Sequence, residues 1–133
     1  MEIYTKWFEN IIRKEGMKWN STISVHGVGK RKGPTTWFAE VALEFSPSNK
    51  FEVVNLLEPT PAKVAQENGW IDFIIFGVFD VMLVSALEPI KDYKLTIQHI
   101  NFNELESNQI AFRKAGYDAA LKAITLIGNI SLK

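Results

Sequence analysis

Tyr4, Trp7, Phe8, Ile11 and Ile12 fall three and four residues apart, with Lys6, Glu9, Asn10, Arg13 and Lys14 between them. That spacing predicts an amphipathic helix over residues 3–15, stopped by Gly16. From Met17 the period becomes two. Trp19, Ile23 and Val25 alternate with Lys18, Asn20, Thr22 and Ser24, which predicts a half-buried strand ending in Gly27 and Gly29. A second strand is predicted over residues 37–45, with Trp37, Val41, Leu43 and Phe45 on one face and Glu40 and Glu44 on the other, closed by Ser46, Pro47, Ser48 and Asn49. Residues 51–57 form a third. Pro59 and Pro61 break this pattern, and a helical region is expected from Ala62, restarting at Asn68 and Gly69 and running to about Leu87. Residues 93–100 alternate again as a fourth strand. A polar residue, Ser107 or Asn108, then caps a last helix over residues 108–127. The tail 128–133 is either a short extra strand or frayed.

The stretch 70–87 is apolar apart from Asp72, Gly77, Asp80 and Ser85, nearly long enough to span a bilayer. Two aspartates at central depth would each cost roughly 2.5 to 3.5 kcal/mol, and no basic anchors stand close by. A buried or partner-covered helix is therefore expected rather than a membrane span. The 133 residues, 47% hydrophobic and 23% charged, suit one globular domain with a substantial core. Without cysteine, disulfides and thiolate chemistry are excluded, which fits a reducing cytoplasm. The start of the chain lacks the pattern of a signal peptide, so a cytoplasmic location is expected. The formal net charge is zero, so any contact with nucleic acid must come from a local basic patch.

Several separated runs share a further likeness. Glu106, Ser107, Asn108 and Gln109 followed by Ile110, Ala111, Phe112, Arg113, Lys114 and Ala115 resembles the start of the last helix of domain IV in elongation factor G. The run from Trp37 to Pro47 is similar to the strand after that family's first tip loop, and Phe51 to Asn55 to its Phe-x-Phe-x-Asn strand. The run from Trp70 to Val78 falls on its aromatic-Ile-Pro-x-Val-x-x-Gly-Ile helix. The likeness covers residues 28–124 in the family's order. It implies an α+β fold with a four-stranded sheet, two helices on one face and a left-handed crossover, as in the second domain of ribosomal protein S5. Residues 1–16 would be an added N-terminal helix, packed on the domain or on a partner, and residues 17–133 the domain itself. A role in translation, through the ribosome or other structured RNA, is what the family implies.

The departures bear on function. The family's Gly-Gly-x-Gly tip is here Gly33, Pro34, Thr35 and Thr36, and the histidine frequent at its second tip is replaced by Asn103. No phosphate-binding loop occurs, so neither nucleotide nor any other cofactor is expected. Phe76, Phe79 and Leu83 stand where the family carries charged residues, within about 60° of one another and on the side of Asp72. Such a stripe needs a cover, either the N-terminal helix through Trp7, Phe8, Ile11 and Ile12 or a second chain in a homodimer.

Lys30, Arg31, Lys32 and Gly33 form the leading site expectation, because three adjacent cations on a loop can hold phosphates. Asn101 and Asn103 join them from the second tip. His26 and His99 have no companion at metal-ligand or catalytic spacing. Glu104 and Glu106 are expected to face water before a helix N-terminus, and Asp72 and Asp80 to lie at a solvent edge or first turn. No nucleophile triad or elbow is present. The expectation is a non-enzymatic binding module without metal, contacting RNA. The alternatives are a protein-interaction or self-association module and a small-molecule binder with a cleft under the first helix.

Overall fold

The computed structural model describes residues 19–33, 36–86 and 88–127. Its elements run β1 (Ile23–Arg31), β2 (Trp37–Pro47), β3 (Glu52–Asn55), α1 (Pro59–Asn68), α2 (Trp70–Phe79, continued by a π-helical turn Asp80–Ser85), β4 (Tyr93–Asn101) and α3 (Gln109–Ile127). The four strands form one mixed sheet in the order β1-β2-β4-β3, and the class is α+β. β1, β2 and β4 are antiparallel neighbours, whereas β3 lies parallel to β4 and is joined to it through α1 and α2. The N-terminal helix expected from the sequence, with Trp7, Phe8, Ile11 and Ile12, falls outside the described residues.

Alternation along the strands decides which face is covered. Val25, Val41, Leu43, Phe45, Leu95 and Ile97 point to the helices and are buried in one cluster with Ile74, Val78, Phe112 and Ala119. The opposite face carries His26, Glu40, Glu44, Gln98 and Asn101. In β4 the period of two is interrupted. Ala42 of β2 faces His99 while Leu43 faces Ile97, so a bulge absorbs one residue and returns Ile100 to the buried side.

The helix ends follow local chemistry. Pro59 opens α1 rather than breaking it, since its missing N–H is one that a first turn leaves unbonded anyway. Gly69, at φ 70°, ends α1 in the left-handed conformation, and the chain turns 77° into α2. At its far end α2 does not continue as α-helix to Leu87. The Ala86 N–H reaches back to the Val81 carbonyl at 2.9 Å and the Ser85 hydroxyl donates to the Asp80 carbonyl at 2.8 Å, a widened turn that buries Val81, Met82 and Leu83 in succession. Among the described residues no single helix is long and apolar enough to cross a membrane.

Gly27 and Gly29 do not end β1, contrary to the expectation, because β1 runs to Arg31. Their reason is packing. A Cβ on Gly27 would strike the Ala115 carbonyl oxygen and one on Gly29 that of Ala111, while Gly77 of α2 meets the Arg113 carbonyl and Gly116 of α3 the Ile74 carbonyl. The small-residue stripe Ala111, Ala115, Ala119 and Ala123 of α3 is fully buried. Backbone thus meets backbone on both flanks of α3, which is wedged between β1 and α2.

Candidate functional site

The β1–β2 hairpin tip and the β4–α3 loop lie at the same end of the sheet. Arg31 pairs with Trp37 and Lys30 with Phe38 in the first ladder, and Asn101 pairs with Glu40 in the second. The two loops are bonded to each other. The Phe38 N–H donates to the Glu106 carbonyl at 3.1 Å, and the Ser107 hydroxyl donates to the Phe38 carbonyl at 2.7 Å. Ser107 Oγ also accepts the Asn103 N–H at 2.8 Å, and Asn108 Oδ1 accepts the Ala111 N–H at 2.8 Å. Asn108 therefore caps α3 while Ser107 ties the loop to the hairpin, so the two residues divide the roles that the sequence left open between them.

Lys30, Arg31, Lys32 and Gly33 are all exposed on the hairpin tip. Gly33 has φ 149° and open space around it, so its requirement is backbone conformation and not room. Asn101 and Asn103 are exposed too, yet both side chains are engaged in holding the loop. Asn101 Nδ2 donates to Glu40 Oε1 at 3.0 Å, and Asn103 Oδ1 accepts the Leu105 N–H at 2.9 Å in an Asx turn. Glu104 is exposed, and Glu106 contributes its backbone.

The apolar stripe divides. Phe79 and Leu83 are buried, Phe79 against the Phe51 ring at 5.1 Å. Phe76 is half-buried, against Phe73 at 5.4 Å and under the Arg113 guanidinium at 5.6 Å. Arg113 in turn makes a bidentate bond to Asp80, both contacts 2.8 Å, which raises the affinity of the guanidinium for its proton. Asp80 is thereby a fixed partner and not a free carboxylate.

Beside this pair runs a surface groove of about 700 Å³, lined among others by Trp37, Phe73, Val84, Ile110 and Lys114. Val84 and Ile110 are 47% and 63% exposed, and Leu105 on the neighbouring loop is 94% exposed. No sequence pattern marks this groove, because its residues come separately from β2, α2 and α3. Asp72, in the first turn of α2, keeps one buried oxygen without a hydrogen bond among the described residues, and burial raises its pKa. Burial likewise pushes the Tyr93 phenol upward. His26 and His99 flank Ala42 on the exposed face of the sheet, and no group of potential metal ligands occurs among the described residues.

No protein-family model matches the sequence, and no curated protein matches it. Among solved structures, a crystal structure of a protein from Thermus thermophilus matches with a TM-score of 0.66 over 79% of this chain, at 18% identity. The match occupies 16% of that chain, so the present chain corresponds to a small part of it. At this identity the likeness shows the fold alone.

Proposed function

We propose that this protein is a non-enzymatic binding module of the elongation factor G domain IV type, which contacts structured RNA through its tip. The observation that carries this reading is the convergence of Lys30, Arg31 and Lys32, all exposed, with the 101–107 loop at one end of the sheet, the loop being bonded to β2 through Phe38. Cations on an extended hairpin present charge to a phosphate backbone, and a bonded second loop fixes their position. The resemblance of the 106–115 run to that family's last helix, and a fold shared with one part of a longer Thermus chain, support it.

The test is sedimentation of cell lysate through sucrose. Co-migration with ribosomes at low salt, release at raised salt, and loss in a Lys30→Glu, Arg31→Glu, Lys32→Glu variant are the expected results. Protein that stays at the top at both salt concentrations ends the ribosomal reading. A second reading, protein interaction without RNA, draws support from the exposed Val84 and Ile110 in the groove. Co-migration that resists both salt and charge reversal would point there.

A further inference from the structure

Among the described strands β1 is an edge, with β2 on one side only. Edge strands expose backbone groups that template pairing with another chain. Here one pair of those groups is taken by side chains of α3. The Val28 N–H donates to Asp118 Oδ2 at 2.9 Å, and Lys122 Nζ donates to the His26 carbonyl at 3.0 Å. Asp118 and Lys122 also form an ion pair at 3.0 Å, one helical turn apart. The two side chains act as a latch across the middle of this edge of the described sheet.

We propose that this edge is a docking strand for a second copy of the chain, and that the Asp118–Lys122 latch keeps it closed. The strand is self-complementary. β1 has nine residues, Ile23–Arg31, with Gly27 at its centre. A twofold axis through Gly27 sets His26 opposite Val28 of the second copy, so the His26 carbonyl and the Val28 N–H become each other's partners. These are the two groups that the latch occupies. The same axis places Lys30 opposite Ser24 and Arg31 opposite Ile23, and no like charges face each other.

The neighbouring surface fits the same occupant. A shallow groove of about 470 Å³ beside the edge is lined by Val25, Leu121, Thr125 and Leu126, and Leu126 is 67% exposed. Strand pairing would bring a second α3 alongside the first and cover these apolar side chains. In the latched form the side chains of Asp118 and Lys122 stand where the incoming backbone would bond.

The proposal is tested on the full chain by light scattering after size exclusion, from micromolar to millimolar concentration, with amide exchange at Val28 as the second readout. The wild type is expected to be held to one chain by the latch. An Asp118→Ala, Lys122→Ala variant is expected to pass from one to two chains as concentration rises. Its Val28 amide should exchange about tenfold faster than wild type when dilute, the factor for losing one charge-assisted bond, and slow again in the dimer. A folded double variant that stays monomeric throughout overturns the proposal, as does a dimer in which Val28 remains unprotected. If the double variant does not fold, Asp118→Ala alone, which frees the Val28 N–H and removes the ion pair that holds Lys122, must still show the mass increase, and its staying monomeric is equally decisive.

Discussion

At Gly27 a single methyl group is at stake. Strand propensity alone would favour alanine over glycine there, but the added carbon would overlap the Ala115 carbonyl oxygen and lie 2.7 Å from the Ala119 Cβ. Overlap with backbone cannot be relieved by a rotamer change, so Gly27→Ala should cost about 1–3 kcal/mol, the range for overpacked cores. Urea denaturation followed by circular dichroism would read it, and an unchanged midpoint would refute the packing account. Asp72 has the opposite character, a residue the fold tolerates against its own preference. Its folded pKa is raised above the unfolded value, so its contribution to stability is favourable when protonated, at pH below the unfolded value, and is lost as pH rises through the folded pKa. Asp72→Asn is therefore expected to raise the melting temperature at pH 7, with the gain shrinking as the solution is acidified towards the carboxylate range. A gain that grew on acidification would contradict this sign.

Among the elements, α3 depends most on its first residues. Replacing Asn108 by alanine removes the acceptor for the Ala111 N–H and should cost about 1 kcal/mol. Thermal melts of Asn108→Ala beside Asn108→Asp would separate loss of the cap from loss of the side chain as such. Most strands and helices were legible because an apolar face was paired with a polar one, as in β2 with Leu43 and Phe45 against Glu40 and Glu44, whereas α2 was legible as a nearly unbroken apolar run. What escaped was whatever depended on distant residues. Gly27 and Gly29 look like punctuation in a linear string, and only the approach of α3, almost ninety residues on, explains them. The bulge at His99 and the widened turn after Phe79 are likewise adjustments to a partner surface. Phe79 and Leu83 suggested a cover, from the N-terminal segment or from a second chain, because their helix was compared with charged relatives. In the fold both are buried, Phe79 beside an aromatic cluster that includes Phe51 and Tyr93.

For the whole molecule, charge and shape divide the labour. With formal net charge zero, the tip cations act at short range, within a Debye length of about 8 Å at physiological salt. The site expectation was half legible. Lys30, Arg31 and Lys32 could be named from the sequence because adjacency is itself a signal, whereas the α2–α3 groove required residues of β2, α2 and α3 to meet. The contact between β1 and α3 has one more consequence. Two residues of strand advance the chain about 6.7 Å and four residues of helix about 6 Å, so each step from Gly29 to Gly27 is matched by the step from Ala111 to Ala115. Strand and helix are meshed like a rack and pinion with a single seating. A shift of α3 along β1 by less than that step would carry the Ala111 and Ala115 carbonyls off the two glycines that make room for them.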